Sequence, residues 1–246
     1  MKIEGKNAVR EAILNGISIE KIMASNNSGD KAFNEIITLA KQRKIKLQFV
    51  DIQALNKASE TKQHQGIVAY GAAYQYFGVE DILQHAKKLE QPPFILILDE
   101  IADPHNLGSI IRTAECMGVH GIIIPKDRSC LVNETVIKVS AGATSHVKIV
   151  KVTNINQEIE KLKKQNIFVY ALELGGKDLA KTNLTGAIAL VIGSEGKGVG
   201  KLTKSLCDEV VTIAQYGKLN SLNASVATGM ALYEIKRQSN ANSSKN

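Results

Sequence analysis

Residues 187–200 read Ala-Ile-Ala-Leu-Val-Ile-Gly-Ser-Glu-Gly-Lys-Gly-Val-Gly, an unbroken apolar run that ends in a loop carrying four glycines. A short run that is apolar on both faces suits a strand inside a parallel sheet, where helices cover both sides. Similar runs recur at Phe94–Leu98, Gly121–Ile124 and Phe168–Leu172, with a shorter one at Val210–Ile213. Helical spacing fills the gaps at Leu107–Met117, Asn154–Lys164 and Val199–Leu206. Strands alternating with helices predict βαβ units and an α/β domain with a parallel sheet over residues 94–239.

Upstream, the chain repeats the alternation on a smaller scale. Asn7–Asn15 is helix-like and closes at Gly16, Ile17–Ala24 resembles a strand, and Lys31–Arg43 has helical spacing. Strand patterns follow at Ile45–Val50 and Gly66–Ala73, which predicts a small α/β domain over residues 1–76. A polar helix, Val79–Leu89, then runs into Gln91-Pro92-Pro93. Proline pairs stop helices and stiffen connections, so residues 77–93 read as a linker. The small polar tail, 240–246, reads as disordered.

Hydrophobic residues make up 44% of the chain and charged residues 22%, the proportions of an ordinary globular protein. No apolar run approaches the roughly 18 residues of a membrane span, and the charged N-terminus lacks the apolar core of a secretory signal. A cytoplasmic protein without a membrane role is expected. Cys116, Cys130 and Cys207 are odd in number and lack CxxC spacing, which speaks against a disulfide framework and a zinc site; no metal is expected. Net charge is +7, spread over both halves: 13 Lys/Arg against 10 Asp/Glu in residues 1–92, and 18 against 14 beyond. That balance favours a polyanionic partner.

Three segments that follow strand patterns carry the chemistry, because open α/β sheets bind ligands beyond the carboxyl ends of their strands. In the first, Asp103-Pro104-His105-Asn106 leads into a helix holding Arg112. Asn106 serves either as a helix cap with Arg112 as a salt-bridged helix residue, or both face a site. The second is Gly193-Ser194-Glu195-Gly196. A Walker A loop ending at Gly200-Lys201 would need glycine at 195 and Ser or Thr at 202, where Glu195 and Leu202 stand; a GxGxxG reading from Gly198 fails at Thr203. What remains is a glycine loop around one carboxylate, or a plain strand-to-helix turn. The third is residues 219–235, where Asn220, Ser221, Asn223 and Ser225 open into an apolar helix. A helix start needs one capping side chain, so four are in excess. The segment is either a wall of a site or an over-provisioned cap on a helix whose Val226, Met230 and Tyr233 pack inward, and Gly229 is expected to pack closely against another element.

Together the three segments resemble the SpoU branch of the SPOUT methyltransferases, with Asn106 to Arg112, Gly193–Gly196 and Ser221–Ser225 in the family's order. Gly5-Lys6-Asn7-Ala8-Val9 and His64–Ala69 resemble the family's small N-terminal RNA-binding domain, a fold similar to ribosomal protein L30e. Ala214 and Ala224 depart from the Pro and Val usual in the family. The resemblance implies a deep trefoil knot, a homodimer, and transfer of a methyl group from S-adenosylmethionine to a ribose 2′-hydroxyl in RNA. A guanosine in the peptidyl-transferase region of 23S rRNA is the expected target; a tRNA guanosine, or a non-catalytic rRNA assembly role, is the alternative. It further implies cofactor contacts at Gly193, Gly196, Ile213, Leu222 and Asn223, and catalytic roles for Asn106, Arg112, Glu195, Ser221 and Asn223. RNA contacts are expected at Arg10, Lys62, Lys126 and Arg128, while His64 reads as structural. Neutralising Arg112 at pH 7 would cost about 7.5 kcal/mol for a pKa near 12.5, so a charged Arg112 that stabilises the developing oxyanion is favoured over Arg112 as base.

Overall fold

The computed structural model describes residues 2–15, 17, 19–26, 29–71, 74–218 and 221–243. The chain divides into two compact units, Met1–Tyr74 and Gln75–Asn246.

In the first unit, Asp30 and Asp51 accept the amides of Phe33 and Ala54 at 2.9 and 2.6 Å, and these caps start two helices. Its elements are β1 (Lys2–Glu4), α1 (Lys6–Leu14), β2 (Ile19–Ser25), α2 (Lys31–Gln42), β3 (Lys46–Val50), α3 (Ile52–Ala58) and β4 (Ile67–Gly71). The sheet order is β1-β4-β2-β3, with β2 and β3 parallel and β4 antiparallel to its two neighbours. Val9 and Ile13 of α1 and Ile36 of α2 meet Ile22 and Ile67 of the sheet in one core. Sequence spacing misses β1, which is only three residues long, and α3, whose cap follows directly on β3. Gly16, Ala72 and Ala73, expected at element ends, lie outside the described residues. The Glu4 carboxylate accepts from the Ser59 hydroxyl (2.7 Å), the Glu60 amide (2.6 Å) and the Thr61 hydroxyl. These donors, the Thr61 hydroxyl foremost, hold its pKa down at about 2. In the loop they close, buried His64 accepts the Gly66 amide at 3.0 Å and reaches Asn56 at 3.0 Å, a structural role.

The second unit is built on the apolar runs. Its elements are α4 (Val79–Lys88), β5 (Phe94–Leu98), α5 (Pro104–Cys116), β6 (Gly121–Pro125), α6 (Glu134–Val139), β7 (Lys148–Val152), α7 (Ile155–Lys164), β8 (Phe168–Asp178), β9 (Ile188–Ile192), α8 (Lys201–Leu206), β10 (Glu209–Thr212) and α9 (Ala224–Ser243). Six parallel strands take the order β10-β8-β9-β5-β6-β7. All five residues of β5 and of β9 are buried, as strands covered on both faces require. From β5 the chain builds outward through β6 and β7, then returns on the other side through β8 and β9. The β5–β9 boundary is therefore the switch point where such sheets open a crevice at their carboxyl ends. β7 does not read as a continuous apolar run, because it is an edge strand carrying Lys148 and Lys151.

Two expectations change. Residues 77–93 are not merely a connection: α4 belongs to the second unit, and Ile82 fills the space beside Gly121, where an added Cβ would lie 2.4 Å from the Ile82 side chain. The proline pair marks the entry to β5. In α9, Val226, Met230 and Tyr233 are exposed, whereas Thr228, Ala231, Leu232 and Ile235 form the buried face. The helix also continues to Ser243, so part of the expected tail is helical.

Gly229 faces Thr113 of α5 with room to spare, since an added Cβ would meet the Thr113 methyl at 3.6 Å. Gly229→Ala is expected to raise stability by about 0.5–1 kcal/mol, the cost of glycine in a helix interior, as read by urea denaturation. His120, buried, accepts the Phe94 amide at Nδ1 (2.9 Å) and donates from Nε2 to Gln91 (3.1 Å); the bond at Nδ1 needs the neutral ring, because a protonated Nδ1 cannot accept. Burial, with the nearby His85 and Lys236 charges, depresses its pKa to about 4. The unfolded chain then binds the proton more readily, and this contribution to stability is complete above pH 6.5 and lost as pH falls toward 4. The melting temperature should fall across that window in the wild type and fall less in His120→Asn, with Glu4 adding its own loss only below about pH 4.5.

Candidate active site

Gly193 directly follows β9 at a point where no side chain fits, because a Cβ would lie 2.0 Å from the Gly198 carbonyl carbon and 2.2 Å from the Val199 nitrogen. The chain folds back on itself there: Ser194 N–H donates to the Gly198 carbonyl at 3.1 Å, and Gly198 N–H returns the bond at 2.9 Å. Gly196 and Gly198 take φ of 83° and 67°, the left-handed region that glycine adopts without strain. Two carboxylates fasten the far end of the loop. Glu173, after the apolar part of β8, accepts the Val199 amide at 2.7 Å, and Asp99, just past β5, accepts the Gly200 amide at 2.9 Å.

The loop so held presents Glu195 to two helix starts. Its Oε1 accepts from Asn106 Nδ2 at 3.0 Å, from Asn223 Nδ2 at 2.6 Å and from the Ala224 amide at 3.3 Å. Asn223 Nδ2 also donates to Asn106 Oδ1 at 3.0 Å, which closes a triangle of three side chains. Asn106 is not the cap of α5. Asp103 takes that place, accepting the Asn106 amide at 2.9 Å ahead of Pro104, and so frees the Asn106 side chain for Glu195. Asn223 does cap α9, its Oδ1 accepting the amides of Ser225 (3.0 Å) and Val226 (3.3 Å). One residue thus serves both the cap and the site.

Beside the triangle lies a cavity of about 380 Å³ walled by Gly193, Gly196, Ile213, Ser221 and Leu222, with Leu172 and Ile192 from the strands. Four of the five expected cofactor positions line it directly; the fifth, Asn223, joins through Glu195. Asn220, which belongs with Ser221, Asn223 and Ser225 to the polar cluster before α9, lies outside the described residues. Arg112 does not join the triangle. Six positions along α5 turn its side chain about 240° from Asn106, and it is exposed, with no hydrogen-bond or ion-pair partner among the described residues. Ser221 is likewise exposed.

Residues 93–233 match the SpoU rRNA methylase family, and residues 2–77 match a family described as RNA 2′-O ribose methyltransferase substrate binding. The chain belongs to the SpoU/TrmH family of RNA methyltransferases. A Bacillus subtilis protein named as a TrmH family tRNA/rRNA methyltransferase, YacO, is 42% identical over 96% of this chain and 95% of its own length. A Staphylococcus aureus protein of the same family name is 41% identical over 96% and 95%. Among solved structures, the SpoU methyltransferase AviRb of Streptomyces viridochromogenes, in complex with AdoMet, superposes with a TM-score of 0.69. That likeness covers 97% of this chain and 90% of the other at 21% identity, and it shows the shared fold. An AdoMet-bound rRNA methyltransferase of Sinorhizobium meliloti gives 0.67 over 96% and 86%, at 22% identity.

For this SpoU/TrmH chain, sequence reasoning missed Asp99 and Glu173, although each is an acid set directly after an apolar run. The expected RNA contacts divide. Arg10 is held by Glu35 (2.7 Å) and Glu11 (3.1 Å), and Arg128 by Glu100 (2.9 Å), whereas Lys62 and Lys126 are exposed without an ion-pair partner among the described residues. Gly193→Ala is expected to lower stability by about 1–3 kcal/mol, the usual cost of overpacking. Gly217→Ala, with nothing within 4 Å, should leave it unchanged. Thermal melting of both variants checks the pair, and an unaltered Gly193→Ala would contradict the packing described.

Proposed function

We propose that this protein transfers a methyl group from S-adenosylmethionine to a ribose 2′-hydroxyl of RNA, with a guanosine in the peptidyl-transferase region of 23S rRNA as its target. The observation that carries the reading is the Asn106–Glu195–Asn223 triangle at the edge of the Gly193–Leu222 cavity. The cavity fits the cofactor: its apolar walls suit an adenine, and its backbone at Gly193 is open to close approach because no Cβ fits there. Gly193, Gly196, Ile213 and Leu222 would hold it; two structural neighbours are described as AdoMet-bound. When bound, S-adenosylmethionine supplies an electrophilic methyl group on a sulfonium.

The chain's own residues do the rest. Glu195 spends Oε1 on Asn106, Asn223 and Ala224, and no partner among the described residues holds Oε2. Oε2 is thus the acceptor for a ribose hydroxyl, and it orients the attacking oxygen. Arg112 stays charged and stabilises the oxyanion, a role that needs RNA or a second copy of the chain to bring guanidinium and ribose together. A second copy has a surface to use: Val226, Met230 and Tyr233 leave an exposed apolar stripe along α9. The homodimer, the trefoil knot and the cytoplasmic setting belong to the same reading. The N-terminal unit would deliver RNA with Lys62 on phosphates, and Lys126 of the second unit would take a phosphate there.

The relatives are named for both tRNA and rRNA, so a tRNA target is the second reading. Mapping 2′-O-methyl groups in total RNA with and without the gene decides between them: loss of one site in 23S rRNA is expected, loss of a tRNA site would move the target, and no change would overturn the function. Glu195→Gln and Arg112→Ala should each lower single-turnover methyl transfer at least 100-fold while calorimetry finds cofactor affinity within about threefold of wild type for Arg112→Ala. Binding to RNA should weaken steeply with salt, because phosphate contacts release counterions.

A further inference from the structure

A second cavity, of about 490 Å³, opens over the carboxyl ends of β5, β6, β7 and β9, on the other side of the glycine loop. Its volume falls in the range of about 300–1,000 Å³ that suits a small-molecule or nucleotide ligand. The walls are built rather than loose. Glu100 and Arg128 both adopt left-handed backbone (φ 61° and 57°), a conformation unusual for such residues, and they pair with each other at 2.9 Å. The Ser129 hydroxyl and Cys130 amide both donate to the Ile101 carbonyl, at 3.1 and 2.8 Å, which locks the loops after β5 and β6 together.

Its charges are divided by position. Lys197 and Lys201, on the glycine-loop side, are exposed and have no ion-pair partner among the described residues. Asp127, on the β6 side, is equally unpaired. A ligand with an anionic end and an N–H-bearing end meets these groups, and a nucleotide has both. Carboxylates only accept hydrogen bonds, and guanine alone among the bases offers two adjacent donors, N1–H and N2–H, to one carboxylate. Ser194, Lys197 and Gly198 line both this cavity and the Gly193–Leu222 cavity, so a base here lies one turn of chain from the methyl donor's site.

We infer that this cavity holds the nucleotide whose ribose is methylated, with Lys197 and Lys201 on its phosphates and Asp127 on the guanine edge. The inference rests on the proposed RNA methylation and adds the group that selects the base. Its test uses the full-length protein with S-adenosylmethionine and short RNAs that carry guanosine or adenosine at the mapped position. Asp127→Asn presents one acceptor and one donor, the complement of adenine. It should lower the guanosine-to-adenosine ratio of kcat/KM at least tenfold, with cofactor affinity unchanged within twofold. Lys201→Ala should raise KM for RNA at least fivefold and leave that ratio as it was. A wild type that methylates RNA while Asp127→Asn keeps its ratio within twofold overturns this inference alone. A wild type that binds S-adenosylmethionine yet methylates no RNA overturns the functional reading, and this one with it. Binding of free guanosine 5′-monophosphate that Asp127→Asn abolishes, with the ratio unmoved, would assign the cavity to a free nucleotide and also contradict the inference.

Discussion

One oxygen of Glu195 receives amide donors from residues 89 and 28 positions away, and the arrangement of the site depends on that convergence. Hydrogen bonds to an ionised carboxylate are roughly twice as strong as those between neutral groups. The carboxylate also sits at the amino end of α9, where the helix dipole favours negative charge. Asn106 on α5 and Asn223 on α9 are therefore drawn to a common point. The Asn106–Asn223 bond, 117 positions apart, then fixes their amide orientations against each other.

For one acceptor to organise two helices, the loop that carries it must not yield. Four glycines would ordinarily make a pliable segment. Here, glycine at 193 permits backbone-on-backbone packing, and paired Ser194–Gly198 amides close the turn. Glu173 and Asp99 then take the Val199 and Gly200 amides that would otherwise lack partners. The glycines serve density more than freedom, and two acids that would repel a phosphate are occupied in holding backbone. Sheet topology explains why all this falls in one place, since β5 and β9 are neighbours whose following loops cross at the switch point.

Much of this was legible beforehand, for physical reasons. Buried parallel strands announce themselves as unbroken apolar runs, and β5 ends where the pattern ends, at Phe94 and Leu98. Asn106, Glu195 and Asn223 stood out because polar groups placed just beyond such strands have no packing reason to be there. What stayed hidden depended on partners distant in sequence. The Asp103 cap could not be told from an Asn106 cap by spacing, and Lys148 and Lys151 disguised an edge strand. The faces of α9 were reversed: Val226, Met230 and Tyr233 look like core residues, yet the small residues Thr228 and Ala231 are the buried ones. Helical periodicity shows that a face exists, and only the packing of α9 beside α5, with Gly229 set against Thr113, shows which face is inside.

The claim at the centre is that Asn106 acts through Glu195 and not on its own. A double-mutant cycle on the single-turnover rate of methyl transfer, with Asn106→Ala, Glu195→Ala and the pair, measures this directly. Residues joined in one hydrogen-bond network couple by about 0.5–3 kcal/mol. The double variant is expected to be little slower than Glu195→Ala alone. Rate losses that simply multiply would contradict the hydrogen-bonded unit described.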